Sequence, residues 1–312
     1  MLTIIIFTNN RDKYLSQLMN DILSVKTNIQ IYIINYSESN RKQLLLKKKI
    51  QKNIKIIFDP QSKQFSKKLY KYIQFVKTKY VWFISDDDRI DSNYIKSLLN
   101  FLKTSDQSGF TLNHTIFRNE DNIIKEQFYN IKNRKISLNN EIHQLGLIST
   151  QIFNIKKFNK IKKDLDTTIL LNNDYPHIYI ALMLNKKFND WNKIENKIVY
   201  FRYGNLTSYN DKNKILTRLD NEFRGYLDPL KKIYKKKVYK ILYNKIFFKN
   251  ILSWILLSIE QNGKTQTLKI IEKNRDIIPI TFSTLLVKKL IFIIPIKILI
   301  LIKRIKRIII KY

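Results

Sequence analysis

The 312-residue chain contains no cysteine. Disulfide scaffolds, thiolate zinc sites and cysteine nucleophiles are therefore excluded, and redox chemistry says nothing about compartment. Glycine and proline are scarce, with 5 of each, so sharp turns are few. Neither GxGxxG nor GxxxxGK(S/T) occurs, which argues against dinucleotide-binding and P-loop enzymes. The three histidines (His114, His143 and His177) form no HExxH or other ligand pair, which removes the common His-based zinc sites. His143 reads as surface or structural.

Acids are outnumbered, 25 Asp and Glu against 58 Lys and Arg, for a net charge of +33. Such a charge invites a nucleic-acid reading, because Lys and Arg neutralise phosphates. A bias toward Ile, Lys, Asn, Tyr and Phe, all with A/T-rich codons, explains the same charge without any binding. The charge also peaks after residue 230, in the tail. No specific nucleic-acid partner is expected. What the chain does have is apolar mass: 44% hydrophobic residues, ample for a packed core.

The most informative stretch is Tyr80-Val-Trp-Phe-Ile-Ser-Asp-Asp-Asp-Arg-Ile-Asp91. Tyr80 to Ile84 reads as a short buried strand. It ends in Ser85 and three successive carboxylates, Asp86, Asp87 and Asp88. Ser92 is expected to cap the helix that follows, with Tyr94, Leu98 and Phe101 or Leu102 at helical spacing. Adjacent acids at the end of a buried strand repel one another, and a divalent cation relieves that repulsion. Mg²⁺ typically binds through one or two carboxylates plus substrate phosphates. The other reading is a solvated acidic turn.

The chain before this point alternates. Leu2–Phe7 reads as a strand, and Tyr14 to Leu23 as a helix. Ile29–Ile34 is a second strand and Arg41 to Gln51 a lysine-rich helix. Ile54–Phe58 is a third strand, and Phe65 to Val76 mark another helix. This β-α-β-α-β-α-β order predicts an α/β fold with a Rossmann-type, mostly parallel sheet flanked by helices. In such sheets ligands bind beyond the carboxyl ends of the strands. Thr8, Asn35 to Ser37, Asp59 and Asp86 to Asp88 are thus expected to line one cleft. The first strand lacks the basic start and long apolar core of a signal peptide, so a cytosolic start is expected.

On these residues the N-terminal half resembles the family 2 glycosyltransferases of GT-A fold. Leu2-Thr-Ile-Ile-Ile-Phe-Thr-Asn-Asn-Arg11 is similar to their opening strand and Thr-x-Asn-Arg turn, and Tyr80 to Asp88 to the strand leading into their Asp-x-Asp motif. The resemblance covers residues 1–105 well and 165–210 more loosely. It implies that Asp86 and Asp88 hold Mn²⁺ or Mg²⁺ against the diphosphate of a nucleotide sugar, a UDP-sugar in the first instance. It further implies a donor-binding set of Thr8, Asn10, Arg11, Asn35, Ser37, Asp59 and Asp87.

The chain departs from the family's pattern in two places. Asn35-Tyr36-Ser37-Glu38 stands where the family has an Asp that contacts the base. Gln64-Phe65-Ser66-Lys67-Lys68 stands in place of a Gly-rich segment and an Arg-Asn pair. Lys67 and Lys68 are phosphate contacts or, the preferred reading, solvated helix surface.

Further on, Gly109–Phe117 reads as a strand, Asn119 to Lys135 as a polar mobile segment, and Gly146 to Phe153 as an apolar stretch crossing or edging the sheet. Asn173-Asp174 resembles the family's Glu-Asp pair before a helix, which implies Asp174 as the base that deprotonates the acceptor. Alternatively, Asn173 or Asp174 caps a helix with Pro176 in its first turn. Ile198–Arg202 and Tyr203 to Ser208 resemble the family's closing segment, without the His that sometimes completes the metal shell. The divisions expected are 1–105 for the donor half, 106–210 for the acceptor half, and 211–312 for a basic helical region.

In that last region Leu230 to Lys249 reads as one basic amphipathic helix, and Ile251 to Ile259 is apolar enough to pack or insert. Leu285 to Ile302 is almost wholly apolar but broken by Lys288, Lys289, Pro295 and Lys297. Its apolar runs are shorter than the roughly 20 residues of a spanning helix. An anchor lying on the anionic inner face of the cell membrane is expected, bringing the enzyme to a saccharide or glycolipid acceptor. The competing expectation is a non-catalytic membrane-associated protein on a degenerate transferase fold.

Overall fold

A computed structural model describes residues 1–25, 27–37, 52–61, 64–117, 130–136, 141–202, 212–279 and 281. The lysine-rich helix expected over 41–51, Glu38, the segment 203–208 and the apolar stretch 285–302 lie outside the described residues. The chain divides into two compact units. The first comprises 1–136, 144–172 and 180–205, and the second 137–143, 173–179 and 206–312. Two short segments, 137–143 and 173–179, group with the C-terminal unit.

The first unit is built on one sheet with strand order β3-β2-β1-β4-β8-β6-β9-β5, and β7 also pairs with β9. Its strands are β1 (Leu2–Thr8), β2 (Gln30–Asn35), β3 (Ile54–Phe58), β4 (Tyr80–Ser85), β5 (Arg89–Ile90), β6 (Gly109–Phe117), β7 (Asn133–Lys135), β8 (Gln151–Asn154) and β9 (Asn192–Arg202). β3, β2, β1 and β4 run parallel, as their alternation with helices predicts. β8 is antiparallel to both β4 and β6, whereas β6 and β9 are parallel. The apolar stretch near 150 is therefore neither an edge nor a crossing. It is a central strand, and the helix Ile155–Ile161 follows it directly. Residues 133–135, expected to be mobile, pair with β9.

All seven residues of β1 are buried, the continuous apolar run of a strand covered on both faces. On one face Ile4, Ile6, Ile31, Ile33, Trp82 and Ile84 meet α1 (Asp12–Leu23) and α3 (Ser92–Thr104). α1 contributes Leu15, Leu18, Met19 and Ile22, one helical stripe. On the other face Phe7 stacks on Phe83 and meets Phe65 and Tyr72 of α2 (Phe65–Ile73). Gly109 is required by packing: an added Cβ would lie 2.2 Å from the Trp191 ring and 2.6 Å from the Ile152 carbonyl oxygen.

The cap of α3 is Asp91, not Ser92. Asp91 has extended backbone and its carboxylate accepts the Asn93 N–H, whereas Ser92 is already helical.

Three further helices are α4 (Ile155–Ile161), α5 (Thr167–Leu171) and α6 (Pro176–Phe188). The second unit holds α7 (Lys212–Ile233), α8 (Lys236–Ile246), a π-helical turn (Phe247–Ile251) and α9 (Leu252–Lys273). The single helix expected over 230–249 is broken at Tyr234-Lys235. The reason lies in phase. A continuous helix would place Lys237 and Ile241 in line with buried Leu230, at i+7 and i+11. After the break α8 instead buries Tyr239, Leu242, Tyr243 and Ile246. Ile255, Leu256 and Ile259 of α9 are buried as well, so that apolar stretch packs within the unit. Among the described residues no helix is long and apolar enough to cross a membrane.

Candidate active site

Strand ends of the parallel half come together. The Tyr36 N–H donates to the Thr8 carbonyl at 3.1 Å, and the Asp59 N–H to the Asn35 carbonyl at 2.8 Å. The Asn35 side chain accepts the Ser37 N–H at 3.0 Å, a local turn that fixes its orientation. Asn10 takes a left-handed backbone, φ 56°, which swings the chain from β1 into α1 and delivers Arg11. The Arg11 guanidinium bridges Asp86 at 3.2 Å and Asp87 at 2.9 Å.

The three acids differ in surroundings. Asp87 is the most accessible and accepts the Ser85 hydroxyl at 2.5 Å. Asp86 and Asp88 are each only 2% exposed. The Asp88 N–H donates back to the Ser85 carbonyl at 3.2 Å, making a tight turn. The Asp88 carboxylate accepts the backbone N–H of Arg202 at 3.2 Å. Burial pushes Asp86 up to about 6, against the opposing effects of Thr8 and Arg11. Burial, reinforced by the Asp87 charge, also raises Asp88.

Asp86 Oδ2 and Thr8 Oγ1 are buried with no well-formed hydrogen bond among the described residues, although the Thr8 hydroxyl lies near enough to favour the carboxylate's charge. A buried carboxylate oxygen without a partner is rare and unfavourable, and it is a natural donor to a hard cation. Among the described residues no group of three or more His, Cys, Asp or Glu side chains is arranged to hold an ion.

Two residues behind the acids were not singled out by the sequence. Arg202 donates through Nε to the Asp87 carbonyl at 2.9 Å and through Nη2 to Gln17 at 3.0 Å. Its guanidinium lies between the rings of Tyr14 and Phe117, 4.6 and 4.5 Å from their centroids. Ser149 accepts the Ser85 N–H through its hydroxyl at 2.8 Å, and its carbonyl accepts from the Trp82 indole at 2.7 Å. Both reach the acidic turn through the sheet, over sequence separations that no local motif carries.

Asp59 is engaged by Lys71 at 2.8 Å and by the Tyr72 hydroxyl at 2.7 Å. Burial alone would raise its pKa, but these two donors outweigh it and hold Asp59 below the usual range. Lys68, preferred as solvated surface, is 2% exposed. Its ammonium stands 3.2 Å from the centre of the Tyr36 ring, and burial lowers its pKa to about 8. The helix α2 turns this lysine inward beside Leu69 and Tyr72, where its stem shares the buried face.

Asp174 belongs to the second unit. The local cap-like bond is made by its neighbour: Asn173, itself buried, accepts the Tyr175 N–H at 2.7 Å. The exposed Asp174 carboxylate accepts from the Asn221 amide instead. Desolvation raises its pKa, Arg218 opposes this and Asp220 reinforces it. A carboxylate so placed is more basic than a fully hydrated one.

Known structures share this architecture. S. aureus TarS residues 1–349 matches with a TM-score of 0.57 at 14% identity, over 89% of this chain and 83% of that one. The same protein in complex with UDP-GlcNAc gives 0.60 at 13% identity, over 89% and 81%. The mannosyltransferase PcManGT from Pyrobaculum calidifontis, in complex with GDP-Man and Mn²⁺, gives 0.55 at 6% identity, over 98% and 86%. At such identities the likeness speaks for a shared GT-A fold. No curated protein matches in sequence. The model of the family described as glycosyl transferase family 2 matches residues 3–162, just over half of the chain. The chain belongs to that family and is on this ground a nucleotide-sugar-dependent glycosyltransferase.

Proposed function

We propose that the protein transfers a sugar from a UDP-sugar to a saccharide or glycolipid acceptor, with inversion at the anomeric carbon. The observation that carries this reading is the acidic turn at the strand ends, where, among the described residues, Asp86 keeps a buried oxygen with no well-formed hydrogen bond beside Arg11. Asp86 and Asp88 would hold Mn²⁺ or Mg²⁺, which neutralises the leaving diphosphate when bound. Two carboxylates suit such a cation when phosphate and water oxygens complete its shell. The fold's relatives solved with UDP-GlcNAc and with GDP-Man and Mn²⁺ support the choice of donor class and metal.

The chain's own groups divide the work. Arg11, anchored by Asp86 and Asp87, offers positive charge to the diphosphate. Thr8, Asn10, Asn35, Ser37, Asp59 and Asp87 form the surroundings of the nucleotide. Asn35 offers an amide to the base where the family has an acid. Asp174 takes the proton of the acceptor hydroxyl as its oxygen bonds to the anomeric carbon and the bond to the diphosphate breaks. The basic C-terminal region would keep the enzyme at the anionic inner face of the membrane, where a lipid-linked acceptor resides.

Calorimetry with a panel of nucleotide sugars, first with Mn²⁺ or Mg²⁺ and then with chelator, tests the reading. Metal-dependent binding of one UDP-sugar is expected. A folded protein that binds no donor under either condition would return the chain to a degenerate, non-catalytic relative.

A further inference from the structure

Six large apolar side chains are 40% or more exposed among the described residues: Met1, Phe75, Ile116, Val238, Ile241 and Phe248. Three of them fall within eleven residues of α8 and the turn after it. The same part of the chain has eight lysines and no acid between residues 229 and 259. The break before α8 creates this arrangement. It turns Tyr239, Leu242, Tyr243 and Ile246 inward and leaves Val238 and Ile241 on the outer side, with Phe248 beyond them. Lys236 and Lys237 are exposed and Lys240 is half-buried on the same helix.

We propose that this outer face, Val238, Ile241 and Phe248 set among Lys236, Lys237 and Lys240, docks on an anionic lipid surface. Charge complementarity selects the occupant. Lysine ammonium groups meet lipid phosphates while the three apolar side chains enter the headgroup boundary, the division of labour of an interfacial helix. A nucleic-acid backbone would neutralise the lysines but leave the apolar groups in water. A second copy of the same face would set lysine against lysine. The opposite side of α8 is already packed, so the surface is preformed and no folding accompanies docking. This inference narrows the membrane part of the proposed function to one helix face. It rests on the second unit alone and holds whether or not the donor reading does.

The test is flotation of the full-length protein with phosphatidylcholine vesicles, with and without phosphatidylglycerol, over a salt series. Binding is expected only with the anionic lipid and is expected to weaken as salt rises. K236Q/K237Q/K240Q should lower the affinity about a hundredfold, taking roughly a 5-fold loss per lysine near the surface. I241D/F248D should abolish the part of binding that survives high salt, with an unchanged thermal midpoint and unchanged donor binding. Vesicle binding unaltered in both variants would overturn the assignment. So would a lowered thermal midpoint of I241D/F248D, since it would mean that the chain itself covers this face. Loss of a dimer in the variants, or DNA retention that both variants lose in step with lipid binding, would equally replace the lipid with another partner.

Discussion

Two buried aspartates in the first unit have opposite surroundings. Asp21, 7% exposed, is gripped by Arg89 through Nε at 2.6 Å and Nη2 at 2.7 Å, and it also accepts the Ile90 N–H at 3.3 Å. Its neighbours use both oxygens, and the pair ties α1 to β5. Asp86 is more deeply buried, yet only one of its oxygens meets a cation, the half-exposed Arg11, and the other has no well-formed bond among the described residues. A closed ion pair of the first kind contributes to the fold, because removing one partner strands a buried charge. An open carboxylate of the second kind, whose charge burial disfavours, works against the fold at neutral pH and is available to a ligand. Burial is shared by both; satisfaction separates them.

Substitutions should separate them too. The largest effect is expected for Asp86→Asn, which should abolish sugar transfer while circular dichroism stays that of the parent and the thermal midpoint at neutral pH is no lower, because burial disfavours the charge that is removed. Transfer at the parental rate would remove Asp86 from the metal site. Asp174→Asn should lower turnover about 10²–10⁴-fold, the usual contribution of a general base, with calorimetric donor affinity retained. If turnover is unchanged, Asp174 has no part in proton transfer. Asp21→Ala should do the reverse of Asp86→Asn. It should lose about 3–5 kcal/mol in urea denaturation, while the protein that remains folded still binds donor. An unmoved urea midpoint would mean that the Asp21–Arg89 pair is idle.

The smallest expected effect is at Lys68, where the folded state disfavours the charge. Its pKa is lowered from 10.5 to about 8, so its stability contribution is present above 10.5 and is lost as pH falls through about 8. Lys68→Met should therefore be more stable than the parent at pH 7, by up to about 3 kcal/mol less whatever the Tyr36 ring returns to the ammonium. The gap should close between about pH 8 and 10.5. Parallel urea midpoints across that range would mean that Lys68 titrates as a hydrated lysine.

Much of the donor half was legible because its signals are local. The run Leu2–Phe7 is apolar throughout because a central parallel strand is covered on both faces, and the acids follow Ile84 where such a strand must end. The structure moves the cap from Ser92 to Asp91 and buries Lys68, because an N-cap is decided by backbone conformation and a lysine's burial by the ring its stem can reach. β8 could not be placed from its sequence, since Gln151–Asn154 is too short to reveal which neighbours it pairs with or in which direction.

The sequence by itself determined the parallel strands β1 to β4 with the described helices between them, the acids at the end of β4 and the family to which they point. It also determined the surplus of lysine beyond residue 230, because composition and periodicity are properties of the chain alone. Tertiary structure decided which of those charges are buried and which are paired. It set Arg11 against Asp86, carried Arg202 and Ser149 to the acidic turn, and re-phased α8 so that Val238 and Ile241 face outward. The physical reason is that satisfaction of a buried polar group depends on partners far away in sequence, and only the sheet and helix packing bring them within bonding distance.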